Sequence, residues 1–243
     1  MLFEWTDKKI EWYVRASRAT GFHRKLADII RPALEGADHV VDFGCGPGLI
    51  DLEISQKVKK ITAIDVSPIV LSHYERDIKD GGYSNIQTIQ GDVKENFDEV
   101  VPASFDVSLL CFFGGPSMVF EQAHRNAARL AIHIMHGNEG PTRQSKIGGD
   151  FRRVFADEMD EYLNDKKIAY TKINEVLDFG QPFISLAEAE QYFELYANKG
   201  GDDPSGRKAQ IEKKLSLIQK NNDPAYPYFF PYMKEVSIYL IEK

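Results

Sequence analysis

Val40-Val41-Asp42-Phe43-Gly44-Cys45-Gly46-Pro47-Gly48 joins an apolar, β-branched run to an acid and then to glycines at every second position. The run is short and stops at turn residues, which predicts a buried strand. Leu49, Ile50, Leu52 and Ile54 then open a helical pattern. Alternating glycines let the backbone take positive φ and approach a ligand with no Cβ in the way. The helix that follows offers free N–H groups and the positive end of its dipole. The stretch therefore reads as a strand that delivers a nucleotide-like ligand to a helix start.

The glycine spacing narrows the choice of ligand. A dinucleotide fingerprint places its third glycine three residues after the second, and Leu49 stands there instead. A phosphate-binding P-loop needs Gly-Lys-Ser/Thr next, and none follows. The block resembles the first motif of the class I S-adenosylmethionine-dependent methyltransferases: an apolar pair, an acid, any residue, then Gly-x-Gly-x-Gly. The resemblance covers residues 38–136 and extends to the final strand.

The resemblance implies further motifs downstream, and the chain has counterparts to them. Lys60-Ile61-Thr62-Ala63-Ile64-Asp65-Val66-Ser67 is a second apolar strand ending in an acid, about 20 residues on, where a carboxylate can take both ribose hydroxyls. A third strand, Ile86–Gln90, runs into Gly91-Asp92-Val93, similar to the family's adenine motif. A fourth, Phe105–Cys111, leads to Phe112-Phe113-Gly114-Gly115-Pro116, in the place of the motif beside the transferred methyl. A fifth is Leu130–His136. The implied cofactor-binding set is Asp42, Gly44, Cys45, Gly46, Gly48, Asp65, Val66, Asp92, Val93 and Cys111, and the implied cofactor is S-adenosyl-L-methionine, leaving as S-adenosyl-L-homocysteine. Taken singly, Asp65 or Asp92 reads as a helix cap or turn acid; as an ordered set at this spacing they read as ligand residues. Asp42 has no comfortable alternative, because an unpaired carboxylate in an apolar run costs on the order of several kcal/mol.

Alternating strand and helix segments from Asp38 to His136 predict right-handed βαβ units. Helical turns fit at 49–58, 69–79 and 117–128. The family implies an α/β, Rossmann-like three-layer sandwich around a mostly parallel seven-stranded sheet. Its strand order is 3-2-1-4-5-7-6, with the last strand antiparallel. Ile168–Asp178 and Glu235–Ile241 supply the sixth and seventh strands. The expected organisation is a single methyltransferase domain over 1–243, with an N-terminal helical arm (1–36), a cofactor-binding core (37–136) and a helical, aromatic insertion before the last strand (179–232). In the arm, a break near Thr20-Gly21 precedes a helix over Phe22–Leu34. After Gly148-Gly149-Asp150 comes a helix through Phe155, Met159 and Tyr162, and the insertion is expected to hold helices Ser185–Ala197 and Ser205–Lys220. Arm and insertion together read as a lid over the methyl donor, because function concentrates in long segments carried on a rigid scaffold. The alternative is that the insertion's aromatics simply pack it on the core.

The 243 residues, 43% apolar and 12% aromatic, are ample to fill one core. No apolar run approaches a membrane span and the first residues do not resemble a secretory signal, so the protein is expected to be cytoplasmic. Cys45 and Cys111 form neither a disulfide framework nor a metal pattern. A net charge of −7 weighs against a nucleic-acid substrate. Arg207, Lys208, Lys213, Lys214 and Lys220 surround Ile211, Leu215 and Ile218 at the spacing of a solvated helix face.

Methyl transfer is an in-line displacement at a sulfonium, so the protein must exclude water, align the nucleophile and, where needed, remove a proton. His136 is the first candidate base, since it ends the fifth strand at the carboxyl edge where open α/β sheets bind ligands. His133 is an odd number of residues away and should face the opposite side. Tyr13, His23 and His124 are further candidates. The turn after Cys111 lacks the Asn/Asp-Pro-Pro-Tyr sequence of amino methyltransferases that act on DNA bases or glutamine, and it lacks a Pro-Cys pair. The expectation is a small-molecule acceptor methylated at oxygen or nitrogen. An RNA or protein methyltransferase and a non-catalytic S-adenosylmethionine-binding protein are the alternatives.

Overall fold

The structure is a computed structural model that describes residues 4–138, 154–196 and 204–243. Each parallel strand is an apolar run stopped by a polar or glycine turn. They are β1 (His39–Phe43), β2 (Lys60–Asp65), β3 (Ile86–Gln90), β4 (Phe105–Cys111) and β5 (Ala127–His136). With β6 (Thr171–Asp178) and the last strand, β10 (Met233–Glu242), they form a seven-stranded sheet ordered β3-β2-β1-β4-β5-β10-β6. β10 runs antiparallel to both neighbours. This is the expected order, the last strand being the seventh of the sheet.

Helices cover both faces of the sheet, those before β3 on one and those after it on the other, as the strand order demands. On one face lie α2 (Phe22–Ile30), α3 (Leu49–Ile54) and α4 (Pro68–Gly81), where Leu26, Ile30, Ile50 and Ile54 pack on Val40, Ile61, Leu109 and Ile132. On the other lie α5 (Phe97–Val100), α6 (Met118–Asn126) and α7 (Ala156–Asp165), covering Val41, Phe43, Ala131 and Met135. The order in which strands are added reverses between β1 and β4, which run parallel, and this opens a crevice at the carboxyl ends of those strands.

The arm is α1 (Asp7–Thr20), capped by the Thr6 side chain, which accepts from Lys9 N–H, and ended by Gly21 in the left-handed conformation. The expected break at Thr20-Gly21 is this cap. The expected helix over Phe22–Leu34 is α2 followed by a 3₁₀ turn over Arg31–Leu34, where Pro32 removes a donor.

The insertion departs from the expectation of helices alone. It contains α8 (Leu186–Tyr196) and α9 (Pro204–Leu215), and also a three-stranded antiparallel sheet of β7 (Gln181–Phe183), β9 (Tyr228–Phe230) and β8 (Gln219–Lys220), ordered β7-β9-β8. The helix expected over Ser205–Lys220 stops at Leu215, because Gln219 and Lys220 pair with Phe229 and Tyr228. Phe183, Phe193, Ile211, Tyr228 and Phe230 give the insertion a small core of its own. Ile211 is buried there while Lys208 and Lys213 are exposed, as a solvated helix face requires. The triplet Gly148-Gly149-Asp150 lies outside the described residues.

Candidate active site

The crevice between β1 and β4 is floored by the glycine turn. Gly44, Gly46 and Gly48 have φ of 67°, 54° and 65°, in the region that L side chains rarely adopt. Gly44 and Cys45 donate their N–H groups to the Ile64 carbonyl at the end of β2, at 2.8 and 3.0 Å. A Cβ on Gly44 would lie 2.2 Å from the Phe113 ring, and one on Gly48 would lie 2.0 Å from the Tyr74 ring. The turn therefore needs glycine for close approach as well as for conformation.

Asp65 ends β2 with its carboxylate turned into the crevice. Its Oδ2 accepts from Gly46 N–H at 2.9 Å and its Oδ1 from Ser67 N–H at 2.9 Å. Burial raises its pKa and those N–H groups oppose the rise. A carboxylate has four lone-pair sites, so both oxygens keep capacity for a further donor such as a hydroxyl. Asp92 follows β3, accepts from Lys94 N–H at 2.9 Å, and stands with Val66 and Val93 around a remaining space of about 30 Å³ beside Gly44 and Phe113. Phe113 stands between Phe112, held at a φ of 54°, a strained value for a non-glycine residue, and Gly114 at 66°.

Asp42 is fully buried on β1, with neither carboxyl oxygen accepting from an ordinary N–H or O–H group. Burial, then the charge of Asp51, push its pKa well above the usual carboxylate range. A buried polar side chain left without a donor under a cradle too tight for a Cβ fits a cofactor that brings a positive group and lies against backbone. Asp51 and Tyr74 had no place in the sequence reading. Asp51 stands among Leu49, Ile50 and Ile54 on the inward face of α3, and that apolar setting was the available signal.

Above the turn, aromatic rings run in one continuous wall from the arm to the end of β5. Trp5 sits over Gly46, at 3.3 Å from where a Cβ would be. From there ring contacts pass from Trp5 to Tyr13 (5.5 Å), Tyr13 to Phe179 (5.3 Å), Phe179 to Phe22 (4.6 Å), Phe22 to Phe112 (6.0 Å) and Phe112 to His136 (5.0 Å). Lys234 lies buried against the same wall, its Nζ 3.4 Å from the Phe112 ring centre. Phe179 thus belongs to the wall, while Phe183, Phe193 and Phe230 pack in the insertion's own core.

The candidate bases divide between this wall and the opposite face. His136 is on the wall side. His133 points the other way, stacks on Phe120 and donates through Nε2 to the Phe113 carbonyl at 3.1 Å. Burial lowers its pKa to about 4, so it is a neutral anchor for the turn that carries Phe113. His124, on α6, also stacks on Phe120, away from the crevice. His23 is buried between Ser17 Oγ, 2.7 Å from Nδ1, and Tyr13 OH, 3.1 Å from Nε2. Burial, then the charge of Lys234, lower its pKa to about 3, while burial raises that of Tyr13. Burial also pushes the Cys45 and Cys111 thiols up, so neither is poised as a thiolate nucleophile.

Comparison with known proteins places this geometry. Residues 40–133, from β1 into β5, match the family of methyltransferase domains. An uncharacterized protein of Methanocaldococcus jannaschii is 31% identical over 86 residues, 33% of each chain. An uncharacterized RNA methyltransferase of Halalkalibacterium halodurans is 31% identical over 62 residues, 26% of this chain and 14% of that one. The matches thus span a third or less of these curated relatives. The YcgJ protein of Bacillus subtilis shares the fold, with a TM-score of 0.59 at 14% identity over 91% of this chain and 99% of that one.

Proposed function

We propose that this chain is a class I S-adenosylmethionine-dependent methyltransferase, a reading supported by the methyltransferase-domain match over residues 40–133, and that it methylates oxygen or nitrogen of a small-molecule acceptor held against the aromatic wall. The observation that carries the reading is the wall itself. It joins the glycine turn to His136 beneath the arm and the insertion, and it offers stacking surfaces and few charges. The net charge of −7 supports a small acceptor over a polyanion.

S-adenosylmethionine supplies an electrophilic methyl group on a sulfonium. Asp65 would hold the ribose hydroxyls, Asp92 and Val93 the adenine, and the backbone of Gly44, Cys45, Gly46 and Gly48 with Asp42 the amino-acid end, with Val66 and Cys111 at the edges of the site. The wall would exclude water and align the acceptor, which suffices for most of the acceleration when the leaving group is already good. An acceptor that carries a proton needs a base. His136 is the first choice by position, and the Tyr13–His23 pair is the second. The arm and insertion would act as a lid over the donor. Among the described residues no helix is long and apolar enough to cross a membrane.

Calorimetric titration with S-adenosylhomocysteine tests the donor assignment, and saturable one-to-one binding is expected. Absence of binding by both donor and product overturns it. Once an acceptor is found, for instance by mass spectrometry of the purified protein, His136→Ala is expected to lower kcat by about 10²-fold or more. An unchanged rate transfers the role to Tyr13 and His23. The exposed lysines of α9 and the RNA methyltransferase relative keep RNA as the second reading, and a gel shift with bulk RNA at physiological salt separates the two.

A further inference from the structure

Behind the glycine turn two buried carboxyl groups face each other with no cation between them. Asp42 comes from β1 and Asp51 from the first turn of α3, and both are fully buried. The only conventional donor to either side chain among the described residues is Tyr74 OH, 3.0 Å from Asp51 Oδ2. Tyr74 is fixed in turn, because its ring fills the space under Gly48. A bond between the two acids requires a proton on one of them, since two bare carboxylates repel. The described groups that act on the pair from the surrounding elements are Asp65 on β2, Tyr74 on α4, Cys45 in the turn, Cys111 on β4 and Tyr13 on α1, and none carries positive charge at neutral pH.

We infer that Asp42 and Asp51 share a proton in the donor-free protein, and that the positive amino-acid end of the donor displaces it, so that donor binding releases about one proton. The inference rests on the donor assignment above and adds Asp51 and Tyr74 as positioning residues. An incoming ammonium group near Asp42 favours the ionised pair as an opposite charge does anywhere. The burial that pushes Asp51 up to about 7 keeps the proton available near neutral pH. By linkage, affinity for the donor then rises with pH. The dissociation constant falls by up to about tenfold per pH unit below the pair's titration and levels off above it.

The test is calorimetric titration of the whole protein with S-adenosylhomocysteine at pH 7 in phosphate and in Tris, whose ionisation enthalpies differ. A buffer-dependent enthalpy that corresponds to about one released proton is expected. Asp51→Asn takes the charge of Asp51 away from Asp42 and gives it an amide donor, which lowers the pKa of Asp42, so binding should persist with fewer protons released and a shallower pH dependence than in the unmodified protein. Infrared difference spectra of the unmodified protein give a second readout, namely loss of a protonated-carboxyl band on binding. Binding with equal enthalpy in both buffers and no such loss overturns the inference. No binding in either buffer overturns the donor assignment instead, a separate outcome.

Discussion

Asp51 carries a stability cost that can be measured without any ligand. Its pKa is raised from an ordinary carboxylate value to about 7, so the folded protein prefers the protonated acid. A raised folded-state pKa gives stability that is full below the unfolded value and is lost as pH rises through the folded one. Between pH 4 and pH 7 the native protein should therefore lose roughly 2–4 kcal/mol that Asp51→Asn keeps. Urea denaturation of both proteins across that range is the measurement. The gap should open with rising pH and then stay constant, and a gap independent of pH would remove Asp51 from the account. His23 and His133 act in the opposite sense, because burial lowers both, and their stability is lost as pH falls below about 6.5. The comparison with the variant cancels their contribution.

At the scale of elements, α1 and α8 are joined through one buried acid. Glu188 accepts from Trp12 Nε1 at 3.0 Å, from Arg15 Nη1 at 2.9 Å on each oxygen, and from Ile184 N–H at 2.8 Å. Lys8 reaches it at 3.3 Å. These partners hold its pKa down at about 2 against the effect of burial. Glu188→Gln removes the buried carboxylate paired with Arg15, which keeps the half-exposed Glu11 as counterion, and should cost roughly 1.5–3 kcal/mol. Hydrogen exchange should then speed up in α1 and in α8 together. Faster exchange in one helix alone would show that arm and insertion move independently.

The same elements show what a sequence can and cannot disclose. Trp12, Tyr13 and the helical period of the arm were readable, as were the break at Gly21 and the helix over α8, because each depends on neighbours within a turn or two. The Glu188 cluster was not, because its side-chain partners Lys8, Trp12 and Arg15 are more than 170 positions away in the chain. The small sheet was missed for another reason. Strands of two or three residues produce no period, and β8 exists only because β9 lies beside it. Leu215 and Ile218 continue the apolar face of α9, so the pattern ran on through residues that tertiary pairing turns into strand. In the crevice, the spacing of Asp42, Asp65 and Asp92 named the residues that the structure brings to adjacent strand ends. The Asp51–Tyr74 pair lay hidden because an acid in an apolar helix reads as an interruption until its partner is seen.

For the whole molecule, the alternation of strand and helix disclosed the parallel βαβ units, while the order of the seven strands came from the family resemblance. On the proposed assignment the donor would span the crevice from β1 to β4 and touch loops from both halves of the sheet, so its binding should stabilise the fold as one unit. S-adenosylhomocysteine at about 100 times its dissociation constant is expected to add about 2.7 kcal/mol, or roughly 5–10 °C in Tm for a chain of this size. Thermal denaturation followed by both tryptophan fluorescence and circular dichroism checks this. Two separate transitions would mean that the insertion, with its own core, melts by itself.

β6 and β10 lie antiparallel, with Asp178 opposite Met233, and Phe179 N–H donates to the Tyr232 carbonyl at 2.8 Å. The whole segment from 179 to 232 is thus the loop of a single hairpin, entering and leaving the sheet at one point. Such a connection makes the segment a cassette: a tight turn, or a cassette from another chain, could be grafted onto the same stem without disturbing the strand order. Exchange of that one contiguous piece would leave the glycine turn, Asp65 and Asp92 in place, so on the proposed reading it would alter the acceptor range and not the grip on the donor.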